Sequence, residues 1–179
     1  MLYCWSNPNC RMLGVYHPLR SAIFEELYRR FRNLASNIDQ VAMKNCIRHY
    51  IRHRGEEQPI ALGLISDQSP ILRPDTEWIE FFGQPTAFID GGEKIAMKFR
   101  IPAYFTRIDR VAVGRYAVTF EEVFDGEEQV EEWEITRRYA ERLEAMIRRR
   151  PELWLWSHNR WRHTQEKQAK RFGKSTLKE

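Results

Sequence analysis

The chain lacks the features that mark several common protein classes. No run approaches the ~20 consecutive apolar residues of a membrane-spanning helix, so any bilayer contact made by this chain is expected to be peripheral. Met1 to Arg11 has no basic start followed by a long apolar stretch and does not read as a secretory leader; residues 1–16 read instead as the middle of a domain. Cysteine is scarce. Cys4, Cys10 and Cys46 cannot all pair within the chain, which points to a reduced, cytosolic-side protein. Cys4 and Cys10 match no standard zinc spacing and read as plain thiols. No Gly-rich phosphate loop of either common type occurs. No Gly-x-Ser-x-Gly elbow occurs, and no internal repeat.

What is present is a folded-protein balance. The 179 residues are 42% hydrophobic and 30% charged, enough for one domain with a real core. Six Trp, seven Tyr and ten Phe suit a core, and equally a protein working on a greasy ligand or at a membrane interface. The net charge of +4 favours anionic partners without choosing among nucleic acid, phospholipid headgroups and phosphorylated substrates.

Periodicity predicts α/β organisation, with a mixed sheet flanked by helices. Pro18 suits a first helical position, with Ile23, Leu27, Phe31 and Leu34 following at helical spacing. Asp39 suits the N-cap of a second helix, with Met43, Ile47, Tyr50 and Ile51 on one face and Gly55 as its stop. Ile60 to Ser66 reads as a buried strand. Asp67-Gln68-Ser69-Pro70 follows, at the carboxyl end of a strand where α/β proteins commonly place ligands. Residues 71–85 read as a long loop, and Ala87 to Ile89 as a short strand. A helix is expected from Asp90-Gly91-Gly92 to Phe99. Strands are expected at Ile101–Ile108 and Tyr116–Phe120, turning at Gly114. Residues 121–134, with eight acids, read as a solvated connection. A helix over Glu134–Arg149 presents Ile135, Tyr139, Leu143 and Met146, is stopped by Pro151, and carries arginines where its dipole favours cations. One domain is expected over residues 1–163, with 164–179 a loose polar tail.

Candidate chemistry starts with the histidines. His49 and His53 lie one helical turn apart and could clamp a metal, but no third ligand suggests itself and the nearby arginines repel cations. A basic solvated face is the plainer reading, and no metal or other cofactor is expected. The run Leu153-Trp154-Leu155-Trp156-Ser157-His158-Asn159-Arg160-Trp161-Arg162-His163 interleaves aromatics with bases. Such a run stacks on single-stranded nucleic acid, anchors at a lipid interface, or packs on its own domain; composition leaves all three open. Gly91-Gly92 could offer backbone N–H groups to an anion, but a tight turn explains them as well.

Several segments are similar, in order and spacing, to the bacterial lipid A biosynthesis acyltransferases, most of all the forms found in Bacteroidetes. These are Val-Tyr-His-Pro-Leu-Arg (15–20), Asp-Gln-Ser-Pro (67–70), Glu-Phe-Phe-Gly-Gln-Pro-Thr (80–86), Gly-Gly-Glu-Lys-Ile-Ala (91–96), Ile-Pro-Ala-Tyr-Phe (101–105) and Pro-Glu-Leu-Trp-Leu-Trp-Ser-His-Asn-Arg-Trp-Arg (151–162). The resemblance implies the C-terminal part of the glycerolipid acyltransferase fold. It also implies transfer of a fatty acyl group from acyl carrier protein to a hydroxyl of a lipid A precursor, at the cytoplasmic face of the inner membrane. Arg20 and Arg32 match basic positions of the family, and Asp67 and Gln68 its Asp-Gln motif. Together they are the expected substrate-binding residues. Trp154, Trp156, Arg160 and Trp161 are the expected membrane or substrate contacts, on an anionic surface. No nucleic-acid partner is expected.

One departure concerns mechanism. The family resemblance implies a His with Asp or Glu at the fifth position after it, the His serving as general base. Here the fifth residues after His17, His49, His53, His158 and His163 are Ala22, Arg54, Gln58, His163 and Gln168. Relatives carry that motif upstream of the Val-Tyr-His-Pro segment, near which this chain begins. The expectation is therefore a C-terminal portion without the catalytic pair, inactive alone. A second departure is Leu34, where relatives often carry another Arg. The competing readings are a non-catalytic remnant that binds anionic lipid or a partner, and a basic nucleic-acid module.

Overall fold

The computed structural model describes residues 9–19, 21–32 and 38–173, with backbone alone for Phe31 and Arg32. The chain divides into two compact units, residues 1–65 and 66–179. It is a mixed α/β protein with parallel and antiparallel sheets and five α-helices among the described residues. Among the described residues the strands form three separate sheets rather than one mixed sheet.

The first unit is a parallel sheet. Strand β1 (Arg11–Tyr16) is followed by helix α1 (Ala22–Arg32), strand β2 (Ile38–Ala42), a 3-10 turn (Met43–Asn45), helix α2 (Cys46–His53) and strand β3 (Ile60–Gly63). The strand order is β2-β1-β3, with both neighbours parallel to β1. Leu13 and Val15 of β1, Ile38 and Val41 of β2, and Cys46 and Tyr50 of α2 are buried. The helix expected to open at Asp39 starts later, because residues 38–42 pair with β1; sheet pairing overrides the capping signal of an isolated Asp. Its packed face is Cys46 and Tyr50, whereas Met43, Ile47 and Ile51 are exposed. Ile23 and Leu27 of α1 are also exposed, and Leu34 lies outside the described residues.

The second unit carries the larger core. It contains β4 (Trp78–Phe81), β5 (Gln84–Ala87), α3 (Gly91–Phe99), β6 (Ala103–Ala112), β7 (Arg115–Phe124), α4 (Glu134–Arg149), a 3-10 turn (Pro151–Leu153) and α5 (Gln165–Phe172). Part of the expected 71–85 loop is thus a hairpin. Ile79 and Phe81 alternate with half-exposed Trp78 and exposed Glu80, the period-two pattern of a half-buried strand. Phe82 and Gly83 turn the chain with φ of 55° and 71°, the left-handed pair that a tight hairpin requires. Phe82 is held there because its N–H donates to Glu144 at 2.7 Å and Arg148 lies over its ring. On α4, Ile135, Ala140, Leu143 and Ile147 recur at helical spacing and close on Ile79, Phe81, Phe88, Phe105, Val123 and Phe124. Tyr139 and Met146, expected on that face, pack against this core half-buried. Residues 165–172, expected in a loose tail, form α5. Thr164 caps its start, and Gln168 accepts from the Trp78 indole at 2.6 Å while donating to the carbonyl of Arg73 at 2.9 Å.

Candidate functional site

The second unit gathers segments that are far apart in sequence. Ser69, in the Asp-Gln-Ser-Pro segment, donates its hydroxyl to the Arg160 carbonyl at 2.7 Å and the Asn159 carbonyl at 3.1 Å. Trp161 donates its indole N–H to Thr86 Oγ1 at 2.9 Å, and that hydroxyl in turn donates to the Gln84 carbonyl. The rings of Phe81, Phe82 and Trp161 pack together at centroid distances of 4.9–6.4 Å. The sequence therefore folds so that Ser69, residues 81–86 and residues 159–161 are one locus, tied by hydroxyl and indole hydrogen bonds over an aromatic floor.

Arg160 is the centre of that locus. Its side chain is buried, with 2% of the residue exposed, and its guanidinium lies over Phe88 at 4.3 Å from the ring centre. Its Nε and Nη2 have no hydrogen-bond partner among the described residues. Burial lowers its pKa to about 10, opposed by Tyr139 and the Asp67 carboxylate. Burial pushes the Tyr139 hydroxyl in the other direction, upward, and the Asp67 charge adds to that rise. Arg160 thus stays charged and Tyr139 stays a neutral phenol near neutrality. Both lie within electrostatic reach of Asp67. Asp67 is half-buried and Gln68 is exposed beside it. His163, also near Pro70, has its pKa lowered by burial and by the charge of Arg162.

The other expected residues are dispersed. Trp154 and Trp161 pack on the core, whereas Trp156 is 58% exposed with its indole donating to the Pro151 carbonyl. Arg20 lies outside the described residues, and of Arg32 only the backbone, ending α1, is described. The Gly-Gly-Glu-Lys-Ile-Ala segment opens α3, where Glu93 is buried and accepts from the Thr136 N–H at 3.0 Å and from the Thr136 hydroxyl. Asp90, just before it, is buried under Arg73 and Lys94 at 2.5 and 2.6 Å. Tyr139 and Thr86 were missed by sequence reasoning. Tyr139 sat in a regular apolar stripe, and Thr86 carries no charge to draw notice.

The first unit holds two histidine–carboxylate pairs, neither with the acid at the fifth position after the histidine. His49 lies 3.2 Å from Asp39 and His53 lies 2.5 Å from Glu56. Arg11 bridges both acids at 2.7 and 2.9 Å. These residues stand at the amino ends of the parallel strands, opposite to where α/β sheets bind ligands. Arg11 shares Asp39 Oδ2 with His49 and takes Glu56 Oε2, the oxygen opposite the one that meets His53. The cluster is an electrostatic staple. At the other end of the sheet, after β1, the chain continues into His17-Pro18-Leu19 of the family-like segment. No group of three or more potential metal ligands occurs among the described residues.

An α/β protein with its charged motif residues gathered on an aromatic floor is the class that fold and locus define. The family model for bacterial lipid A biosynthesis acyltransferases matches residues 7–163, and the chain belongs to that family. None of the curated proteins compared with the chain matches it. The family is associated with the inner membrane. No helix among the described residues is long and apolar enough to cross a membrane.

Proposed function

We propose that this chain provides the substrate-contacting part of an acyltransferase that moves a fatty acyl group from acyl carrier protein to a hydroxyl of a lipid A precursor. In that reaction the carrier's thioester C–S bond breaks, an ester C–O bond forms, and the hydroxyl proton ends on the released thiol. Asp67 and Gln68 face the substrate, with Arg160 and Tyr139 fixing the field around Asp67. Arg20 and Arg32 meet the precursor's phosphates, since guanidinium groups suit planar, multidentate phosphate recognition. Residues 1–163 form the acyltransferase portion, resembling the C-terminal part of the glycerolipid acyltransferase fold, and it works at the cytoplasmic face of the inner membrane.

The observation that supports this reading is the closure of Ser69 onto the Asn159 and Arg160 carbonyls, with neighbouring Trp161 bonded to Thr86. Two segments with family-like sequence, about ninety positions apart, meet around a buried cation. The chain as it stands has no His with an acid at the fifth position after it, so it is expected to be inactive alone. Incubation with acyl-loaded carrier protein and precursor should give no acylated product. Turnover above background would overturn that expectation and direct attention to the His49–Asp39 and His53–Glu56 pairs.

A further inference from the structure

The β6–β7 hairpin is built inside out for a soluble protein. Its inward face is polar beyond Phe105: Arg107 is bonded to Asp109 and Glu121, and Asp109 accepts from Arg149 of α4 at 2.8 Å. Its outward face sets Tyr104, Ile108, Tyr116, Val118 and Phe120 among Thr106, Arg110 and Glu122. Ile108 stands opposite Val118, Tyr116 opposite Arg110, and Tyr104 lies further along, all exposed. At the tip, Val111 is a bulge residue without a partner in register, and Gly114 turns the chain with φ of 71°. These two features push Val111 and Val113 into solvent, 64% and 86% exposed.

Charge is distributed along the same axis. The tip end carries exposed Arg110 and Arg115, neither paired with a carboxylate among the described residues, and Arg150 donates to the Arg110 carbonyl at 3.0 Å. The root end carries Glu121, Glu122 and Asp125. A surface of this kind favours an anionic plane met tip first. Valines projecting from a turn enter the headgroup layer, tyrosines suit its depth, and arginines meet its phosphates. From this geometry we infer that the tip and outward face of the β6–β7 hairpin are the surface by which the chain rests on an anionic lipid bilayer. This rests on the inner-membrane reading above and assigns the contact to the hairpin, not to the exposed Leu155-Trp156 corner.

The test is sedimentation of the full chain with phosphatidylglycerol-containing vesicles and with phosphatidylcholine vesicles. Each cation near an anionic leaflet contributes about fivefold in partitioning, so Arg110→Gln with Arg115→Gln should weaken anionic binding about 25-fold. Val111→Ser with Val113→Ser should weaken it at least tenfold, and Leu155→Ser with Trp156→Ser should leave it within twofold. Circular dichroism of each variant should match the parent, because all six positions are exposed. If the Leu155/Trp156 variant alone loses binding, the chain is a lipid binder but the hairpin assignment is wrong. If the parent binds neither vesicle, bilayer contact through this chain fails altogether. If the hairpin variants retain vesicle binding but lose binding to acyl carrier protein or to a second copy, the surface belongs to that protein and the inference is overturned.

Discussion

Arg160 offers a sharp test of what this locus is built for. Its charge is a poor contributor to stability. A fall in pKa to about 10 from the ordinary guanidinium value corresponds to about 3 kcal/mol of lost preference for the charged state. The unpartnered Nε and Nη2 reflect the same desolvation and are not added to it. Against this stand the Phe88 face at 4.3 Å, worth about 2 kcal/mol when desolvated, and the packing of the side-chain stem. The charge therefore nets to within about 1 kcal/mol of zero. Arg160→Met, which keeps length and apolar contact, should change stability by less than about 1 kcal/mol in either direction, as buried charges replaced by apolar residues often do. Arg160→Ala should lose about 3 kcal/mol, because it also leaves a cavity. Urea unfolding followed by tryptophan fluorescence reads this unit, since five of the six tryptophans lie in residues 66–179. A loss of 3 kcal/mol or more in Arg160→Met would refute the reasoning. It would mean that the guanidinium is fully paired in solution, with Asp67 as its counter-ion.

Two further outcomes follow from the same contacts. Trp161→Phe and Thr86→Val should each cost about 1 kcal/mol, and a double-mutant cycle should return a coupling near the value of one hydrogen bond; additive losses would show that the bond contributes nothing. Asp90→Asn should cost about 2 kcal/mol at pH 7, less than a fully buried pair because Arg73 and Lys94 are half-exposed. Burial raises the Asp90 pKa, but hydrogen bonds from Arg73 and Lys94 outweigh it and hold the carboxyl below its ordinary range. Its contribution is then complete above the unfolded carboxyl value of about 3.9 and is lost as pH falls through the lower folded value. An acid-unfolding midpoint unchanged by Asp90→Asn would contradict this.

Much of the fold was legible where one local signal had no rival. The helix over Glu134–Arg149 carries its apolar stripe and a proline stop, and it forms as the periodicity predicts. The opening of α3 at Gly91 and the turn at Gly114 were equally plain. Illegible were the elements that depend on a distant partner. Ile38–Ala42 is a strand because β1 lies beside it, and no local feature of Asp39 announces that. Residues 71–85 read as loop, with a strand expected only from Ala87, because Pro85 and Gly83 are punctuation in sequence, yet Pro85 stands opposite exposed Glu80 in a two-stranded hairpin, where a proline is tolerated at an edge. Gln165–Phe172 looked too polar to fold; its anchor is a side-chain amide on the 73–76 turn and the Trp78 indole, with no apolar stripe.

The same division runs through the site, and it separates what each motif does. The Trp-Leu-Trp-Ser-His-Asn-Arg-Trp run suggested three partners from composition alone. Geometry distributes its members: Trp154 and Trp161 to the core, Arg160 to a buried position by Asp67, and Leu155 and Trp156 to solvent. A sequence cannot make that assignment, because residues 154, 156, 160 and 161 follow no single helical or strand period. They sit on an irregular stretch after Pro151, held by hydrogen bonds to residues 69 and 86. A buried arginine with two unpartnered nitrogens, in a segment bonded to Ser69 next to Asp67 and Gln68, is expected to answer a requirement on Asp67 more than one of the fold. Arg160→Met should therefore separate the two, keeping the melt while altering whatever Asp67 contacts.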